Sequence, residues 1–263
     1  MTKESLVEWK GKNIVITGGS SGIGLVLAQR LVEAQARVVL LGRSEEKGRA
    51  ALETLSGDVD FIACDVADAT AVQAAFGALQ RRLGGLDHAV NAAGVTAPYA
   101  PISELNPADW ARVMTINSHG PLYCLQQELR LISAKPGGSI VNVSSCAGVV
   151  PMPYQAAYVA SKAALNALTQ VAAMENACDG HGRHAVRVNA VAPGPTLGGM
   201  NTPERLQANP SGTQRKIAVT AMKRFAQPQE VADAVLYLLG GASSYITGTI
   251  LSVDGGYHIG KFE

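Results

Sequence analysis

Seven short runs of apolar and β-branched residues recur along the chain, each separated from the next by a longer stretch with helical character. Within each run the apolar residues are continuous rather than alternating, which is typical of parallel strands buried on both faces. Repeated strand–helix–strand units favour an α/β fold with a doubly wound parallel sheet and helices on both faces. The predicted strands are Asn13–Thr17, Arg37–Leu41, Val59–Cys64, Asp87–Asn91, Gly138–Ser145, Ala185–Ala192 and Thr249–Val253.

The stretches between these runs predict helices, and nothing divides the chain into parts. A long helix is predicted from Tyr158 to about Ala177, and Pro228 suits the first turn of a helix that ends at Leu239. Without a linker or a shift in composition, residues 1–263 are predicted to form one Rossmann-type domain. The least regular segment, at about 194–222, is rich in Pro, Gly, Thr and Asn. A substrate loop is expected there.

The composition argues against nucleic-acid and membrane roles. The net charge is only +1, with 47% hydrophobic and 16% charged residues, and no long run of one sign. Nucleic-acid binding is therefore not expected. No segment approaches the ~18 apolar residues of a membrane span, and the first twelve residues lack the apolar core of a signal peptide. These features predict a cytoplasmic protein.

The four cysteines, Cys64, Cys124, Cys146 and Cys178, are widely spaced. They form no C-x-x-C pair, and no histidine lies near them at metal-ligand spacing. We expect free thiols in a reducing compartment and no metal site.

A glycine-rich turn follows the first predicted strand and opens the first helix. Its sequence is TGGSSGIG, residues 17–24, with the spacing Gly18-x-x-x-Gly22-x-Gly24 rather than G-x-G-x-x-G. Glycines at this place let the backbone approach a pyrophosphate, whose charge the helix N-terminus attracts. A simple tight turn is the alternative, but the position between strand and helix favours a dinucleotide site.

The residues at the end of the second strand indicate which dinucleotide the site binds. An acidic side chain there would bind a ribose 2′-hydroxyl, and an arginine would accommodate a 2′-phosphate. The chain has Gly42-Arg43-Ser44 at this point, so no acid is present and a guanidinium is adjacent. NADP(H) is therefore predicted; NAD(H) is the alternative if Arg43 is solvated.

Tyr158 and Lys162 are four residues apart on a predicted helix, so both side chains lie on one face. Such a pair arises by chance in about one chain in three, so alone it could be a proton-transfer site or an ordinary surface pair. A nearby ammonium favours the phenolate of a tyrosine, whose usual pKa of ~10 is too high for a base near neutral pH. The pair could thus exchange a proton with an alcohol or carbonyl oxygen.

Eight segments in order along the chain resemble the short-chain dehydrogenase/reductase family. They are TGGSSGIG (17–24), CDV (64–66), NAAG (91–94), Asn117 in MTINSHG, VNVSS (141–145), YVASK (158–162), VNAVAPGP (188–195) and SVDGG (252–256). The resemblance extends from Gly11 to Tyr257 and implies an oxidoreductase with a nicotinamide coenzyme.

The resemblance also implies a role for each matching position. The catalytic set would be Tyr158 as acid/base, Lys162 holding the nicotinamide ribose and lowering the tyrosine pKa, Ser145 binding the substrate oxygen, and Asn117 holding a proton-relay water. Ser145 is preferred to Ser144 by its interval of thirteen residues before Tyr158. The predicted coenzyme-binding residues are Gly18, Ser20, Ser21, Gly22, Ile23, Gly24, Arg43, Asp65, Val66, Asn91, Ala92, Gly94, Tyr158, Lys162, Pro193, Gly194 and Thr196.

One departure concerns the nicotinamide carboxamide. Relatives often carry a threonine four positions beyond the glycine of Pro193-Gly194, and this chain has Gly198 there. Either Thr196 or a backbone amide is expected to take that role.

The substrate is predicted only as a ketone or secondary alcohol of moderate size, in a fairly apolar pocket built from residues 95–101, 147–154 and 196–222. The main rival activity is reduction of a 3-oxoacyl thioester. A coenzyme-binding regulatory protein without catalysis is the alternative from another class, although the intact catalytic set argues against it.

A homotetramer is predicted, with a dimer as the fallback. The helix from Tyr158 carries small residues that permit close helix packing, and relatives commonly pair this helix and the one near Leu125 across a two-fold axis. The small residues are Ala160, Ala163, Ala164, Ala167, Ala172 and Ala173.

Overall fold

The computed structural model describes residues 8–132, 137–178 and 186–260. Seven parallel strands form one sheet in the order β3-β2-β1-β4-β5-β6-β7. The strands are β1 (Asn13–Thr17), β2 (Arg37–Gly42), β3 (Val59–Ala63), β4 (His88–Asn91), β5 (Gly138–Val143), β6 (Val186–Pro193) and β7 (Ile250–Val253). The doubly wound, Rossmann-type sheet predicted from the sequence is confirmed.

Helices connect the strands as the alternation predicts. They are α1 (Gly22–Glu33), α2 (Glu45–Thr54), α3 (Ala69–Leu83), α4 (Pro107–Met114), α5 (Gly120–Ile132), α6 (Ala156–Asn176), α7 (Pro203–Ala208), α8 (Pro210–Ala218) and α9 (Pro228–Leu239). A π-helical turn, Thr115–His119, joins α4 to α5. None of the described helices is long and apolar enough to cross a membrane.

The core lies on both faces of the sheet because successive strand residues point to opposite sides. Ile14 and Ile16 pack in one apolar cluster with residues of α1 and α9, such as Leu27 and Val235. Val15, between them, belongs to a second cluster with residues of α3, α5 and α6. Burial on both faces explains why the strands are apolar throughout.

Some boundaries differ from the predicted ones. β5 ends at Val143 rather than Ser145, although Ser144 still donates its N–H to the carbonyl of Val191 at 2.8 Å. Ala185, predicted to begin a strand, lies outside the described residues, as do parts of the predicted domain 1–263. The predicted loop at 194–222 contains the two short helices α7 and α8.

The order of the strands places a crevice between β1 and β4. The chain moves outward from β1 to β2 and β3, then returns to β4 on the other side of β1. The loops after β1 and β4 therefore diverge at the carboxyl edge of the sheet, where open α/β sheets bind ligands.

Candidate active site

The turn after β1 approaches the turn after β4 so closely that only glycine fits. Gly18 has φ +68°, and a Cβ there would lie 2.8 Å from the backbone nitrogen of Ala93. A Cβ on Gly24 would lie 2.5 Å from the carbonyl oxygen of Gly18. Ser21 caps α1 without a side-chain capping bond, and the first turn of α1 carries no acid. This helix N-terminus therefore fits the pyrophosphate of a dinucleotide.

A cleft of about 540 Å³ opens beside this turn. It extends from the glycine turn to the carboxyl end of β5 and the start of α6. Fourteen residues predicted for coenzyme binding or catalysis line it: Gly18, Ser21, Gly22, Ile23, Gly24, Arg43, Ala92, Gly94, Ser145, Tyr158, Lys162, Pro193, Gly194 and Thr196.

Five predicted site residues lie outside the lining of this cleft. The Ser20 hydroxyl lies near Gly42, and Asp65 accepts a hydrogen bond from the N–H of Ala67 at 3.0 Å. Val66 is buried in the core. Asn91 and Asn117 are also buried, and their side chains support the cleft from behind.

Tyr158 and Lys162 project from successive turns of α6 into the cleft. The Nζ of Lys162 lies 5.9 Å from the centre of the Tyr158 ring and donates to the carbonyl of Val143 at 2.8 Å. Only 3% of Lys162 is exposed. Anchored to the end of β5, this ammonium is held close to the phenol.

Ser145 and Ser144 have different partners. The side chain of Ser145 lies close enough to Tyr158 to lower the pKa of its phenol. Ser144 instead donates its hydroxyl to Oδ1 of Asn166 at 2.6 Å, on the side of α6. The geometry therefore supports the preference for Ser145 as the oxygen-binding serine.

Burial dominates the pKa values of the central pair. It raises the pKa of Tyr158 to about 12, although the nearby hydroxyl of Ser145 acts to lower it. Burial also lowers the pKa of Lys162 to about 8. The sequence predicted a lowered pKa for Tyr158. In the protein without its coenzyme, the pKa of Tyr158 is raised instead. The reason is that both groups leave water, and desolvation disfavours each charged form.

Asn117 lies in the π-helical turn and is fully buried. Its Oδ1 accepts from the N–H of Val95 at 2.8 Å, and its Nδ2 donates to the carbonyl of Val95 at 2.8 Å and to Oγ of Ser161 at 3.1 Å. The side chain thus fastens the loop after β4 to α6. Its role in holding a water stays a prediction.

The segment after β6 lacks a free threonine hydroxyl for the carboxamide. Thr196 donates its hydroxyl to the carbonyl of Gly194 at 3.0 Å. Gly198 has φ +76° and carries no side chain to replace it. The side chain of Thr196 can still accept a hydrogen bond, so its carboxamide role stays a prediction.

Three cations of the cleft were absent from the predicted catalytic and coenzyme-binding residues. Lys47, Arg112 and Arg205 add positive charge to the lining. Lys47 follows Arg43 by four residues, which could have indicated it, and Arg205 falls within the segment 196–222 predicted to build the substrate pocket, whereas no sequence pattern marked Arg112. Met200, from the same segment 196–222, reaches into the cleft, with its Cε 3.7 Å from where a Cβ on Gly94 would lie.

The described part of the chain contains no group of three or more His, Cys, Asp or Glu side chains that could hold a metal ion. Among the cysteines, Cys64, Cys124 and Cys146 are buried free thiols, and Cys178 is an exposed one.

Comparisons with known proteins agree with this geometry. A family model described as "Enoyl-(Acyl carrier protein) reductase" matches residues 18–258. The 3beta-hydroxysteroid dehydrogenase of Mediterraneibacter gnavus is 36% identical, over 94% of each chain. The 2,5-dichloro-2,5-cyclohexadiene-1,4-diol dehydrogenase of Sphingobium indicum is also 36% identical, over 94% of this chain and 97% of the relative. The solved structure of a variant actinorhodin polyketide ketoreductase with NADPH superposes with a TM-score of 0.86 at 30% identity, over 94% of this chain and 97% of the other.

Together with the fold, these matches define an oxidoreductase class that acts on hydroxyl or carbonyl groups with a nicotinamide coenzyme. The chain belongs to the short-chain dehydrogenase/reductase family, as its motifs predicted.

Proposed function

We propose that this protein is an NADP(H)-dependent oxidoreductase that interconverts a ketone and a secondary alcohol. The observation that carries the proposal is the meeting of Ser145, Tyr158 and Lys162 in the wall of one cleft, with the glycine turn of a dinucleotide site in the same lining. A regulator without catalysis would have no need of this arrangement.

Each side chain has a defined task in this reaction. When bound, the nicotinamide coenzyme supplies or accepts the hydride and, in its oxidised form, adds a positive charge. Tyr158 donates its proton to the reduced oxygen, or takes one from the alcohol in the reverse direction. Ser145 donates a hydrogen bond to the same oxygen. The ammonium of Lys162 stabilises the phenolate that Tyr158 leaves behind.

The preference for NADP(H) rests on two cations beside the glycine turn. Arg43 and Lys47 both line the cleft, and neither forms an ion pair with a residue in the described ranges. The neighbouring Glu45 is paired with Arg49 at 3.1 Å. A 2′-phosphate would thus meet two cations that have no ion pair among the described residues, and the carboxylate of Glu45 is neutralised by Arg49.

The coenzyme proposal predicts kinetics that favour NADPH over NADH in kcat/KM by about 10- to 100-fold, since one charge-assisted contact contributes about 1.5–3 kcal/mol. Arg43→Ala should remove most of this preference, while Arg81→Ala, which changes an exposed arginine on α3 outside the cleft lining, should leave it unchanged. Steady-state kinetics with both coenzymes measure it. Equal efficiency with NADH in the wild type would refute the proposal.

For the substrate we propose a secondary alcohol or ketone on a ring, as the names of both relatives suggest for those proteins. Tyr99 lies close enough to Tyr158 to affect its pKa, and Tyr257 interacts electrostatically with Tyr99. Aromatic side chains are therefore available near the reacting group, and Tyr154 and Val149 add exposed apolar surface nearby in sequence. The second candidate is a 3-oxoacyl thioester: the matched family model is named for an acyl-carrier-protein substrate and one similar structure is a polyketide ketoreductase. Oxidation of NADPH with a panel of cyclic ketones and 3-oxoacyl thioesters distinguishes the two.

The predicted homotetramer is also kept as a proposal. On α6, the apolar side chains of Val171 and Met174 are 44% and 76% exposed in the single chain, which supports burial against another copy. Light scattering at micromolar concentration should give four times the monomer mass, or twice it for the dimer. A monomer mass would refute oligomerisation.

A further inference from the structure

A row of polar side chains crosses the three central strands directly behind the cleft. Thr17 of β1, Asn91 of β4 and Asn142 of β5 are register partners at the carboxyl ends of their strands. Asn91 donates from Nδ2 to Oδ1 of Asn142 at 3.0 Å, and Asn142 donates from Nδ2 to Oγ1 of Thr169 on α6 at 2.9 Å. The hydroxyl of Thr17 lies 3.5 Å from Oδ1 of Asn91, the longest contact in the row.

Glu128 of α5 ends this row. Its Oε2 accepts the second hydrogen of the Asn91 amide at 2.9 Å. The residue is completely buried, and its Oε1 has no hydrogen-bond partner among the described residues. A buried carboxylate without a cation or further donors is very unfavourable, so the geometry favours a neutral carboxylic acid.

Among the described residues, none is resolved as placing an opposing charge near Glu128 that would change this. Burial raises its pKa to about 8, and only the bond from Asn91 is resolved as lowering it. On its own helix it faces the thiol of Cys124, next to which lies the thiol of Cys64 after β3. Burial raises the pKa of both thiols, so they stay neutral. The groups that face it from β4, β5 and α6, through the row, are amides and a hydroxyl.

The row is in contact with the coenzyme turn. Asn91 is followed by Ala92 and Ala93, and the N–H of Ala93 donates to Oγ1 of Thr17 at 3.2 Å. Gly18 lies against both alanines, since a Cβ there would be 2.8 Å from the nitrogen of Ala93 and 2.9 Å from the carbonyl carbon of Ala92. A change in Asn91 is therefore transmitted to the floor of the cleft and to the glycine turn.

We propose that Glu128 is a positioning residue for coenzyme binding: as a neutral acid it fixes the amide of Asn91, and through it the turns after β1 and β4. This inference rests on the proposed dinucleotide site. It assigns Glu128 no contact with the coenzyme or substrate. Ionisation of Glu128 would place a charge beside the row and disturb these turns.

Two different pH dependences follow. The acid has a higher pKa in the folded than in the unfolded protein, so its contribution to stability is complete below the unfolded value of about 4.5 and is lost as the pH rises towards about 8. Coenzyme binding compares two folded states, so its loss begins only where the folded protein ionises, near pH 8.

The test measures binding of NADPH by its fluorescence from pH 6 to 9, with the full-length wild type, Glu128→Gln and Glu128→Met. Gln is the isosteric, permanently neutral analogue and should match the wild type at pH 7. From pH 7 to 9 the wild-type Kd should rise about tenfold more than that of Glu128→Gln, as one pH unit above a pKa implies. Glu128→Met leaves an Asn91 N–H unpaired and should raise the Kd about tenfold at pH 7.

The controls separate this role from two others. Lys162 also titrates near pH 8, but its effect is common to the wild type and Glu128→Gln and cancels in their comparison. Glu53→Gln, an exposed acid on α2, should behave as the wild type. In thermal melting of the coenzyme-free proteins, the Tm of Glu128→Gln should rise relative to that of the wild type between pH 5 and 8. Above pH 8 the difference in Tm should stay constant.

Parallel pH profiles for the wild type and Glu128→Gln would overturn the inference, and if Glu128→Met does not fold, that comparison alone decides. Failure of the wild type to bind either NADPH or NADH at any pH would instead overturn the proposed function.

Discussion

Tyr158→Phe is expected to lower kcat by 10²- to 10⁴-fold, the range typical for loss of a general acid–base group. The phenol is the group in the cleft whose pKa Ser145 lowers, and the ammonium of Lys162 lies 5.9 Å from the centre of its ring. Phenylalanine keeps the ring and its packing on α6 and removes only the hydroxyl that exchanges the proton. Affinity for the coenzyme should therefore change by less than about threefold, as measured by fluorescence titration.

Tyr245→Phe provides the matched control. Tyr245 is 98% exposed and lies outside the lining of the cleft. Its loss of a hydroxyl should leave kcat within a few-fold of the wild type. Substantial turnover by Tyr158→Phe, with correct folding and coenzyme binding, would show that another group transfers the proton.

The sheet could be predicted from the sequence because burial on both faces leaves a direct pattern. Ile14, Val15 and Ile16 face alternate sides, yet all three are fully buried, so the strand is apolar throughout. The coenzyme turn was predictable for a similar reason. Gly18 and Gly24 lie where a Cβ would collide with backbone, which restricts those positions to glycine.

The parts that were missed depend on contacts between distant segments. Nothing near Arg112 in the sequence shows that α4 contributes to the cleft. The segment 196–222 was predicted to build the substrate pocket, but the sequence did not show that Met200 would reach Gly94, because this depends on how the segment folds back over the turn after β4. Glu128 could have been noticed, since it falls on the apolar face of α5 with Cys124 and Leu125, but its partner Asn91 is 37 residues away.

The direction of the Tyr158 pKa shows a further limit of sequence reasoning. The i, i+4 spacing predicts that ammonium and phenol are near each other, and they are. The spacing contains no information on burial, which here opposes both charged forms and moves the two pKa values in opposite directions, to about 12 and about 8. In the protein without its coenzyme, the charge of the buried Lys162 ammonium is therefore energetically unfavourable.

Lys162→Met tests the role of this buried ammonium, and it is the second variant for which we expect a large loss of activity. The substitution keeps an unbranched side chain of similar length and removes the ammonium that stabilises the Tyr158 phenolate. We expect kcat/KM to fall by at least about 10³-fold, because stabilisation of the phenolate and binding of the nicotinamide ribose are lost together. Unlike Tyr158→Phe, it should also raise the Kd of the coenzyme by about tenfold. Lys10→Met, an exposed lysine remote in sequence from the site, should change neither.

The stability of the Lys162→Met variant should change in the opposite direction to its activity. The pKa of Lys162 is lowered from 10.5 to about 8, so below pH 8 the folded protein carries a buried charge that costs about 3 kcal/mol, at ~1.4 kcal/mol per pH unit. Methionine removes this cost but leaves the carbonyl of Val143 unpaired, a loss of about 1–3 kcal/mol. At pH 7 the variant should therefore melt at or above the wild-type Tm.

From pH 8 to about 10.5 the unfolded wild type binds the extra proton, so wild-type stability rises relative to the variant. The contrary result is a variant whose Tm is well below that of the wild type at pH 7, with a difference in Tm that stays constant up to pH 10. It would show that Lys162 stabilises the fold and does not carry an unfavourable charge for catalysis.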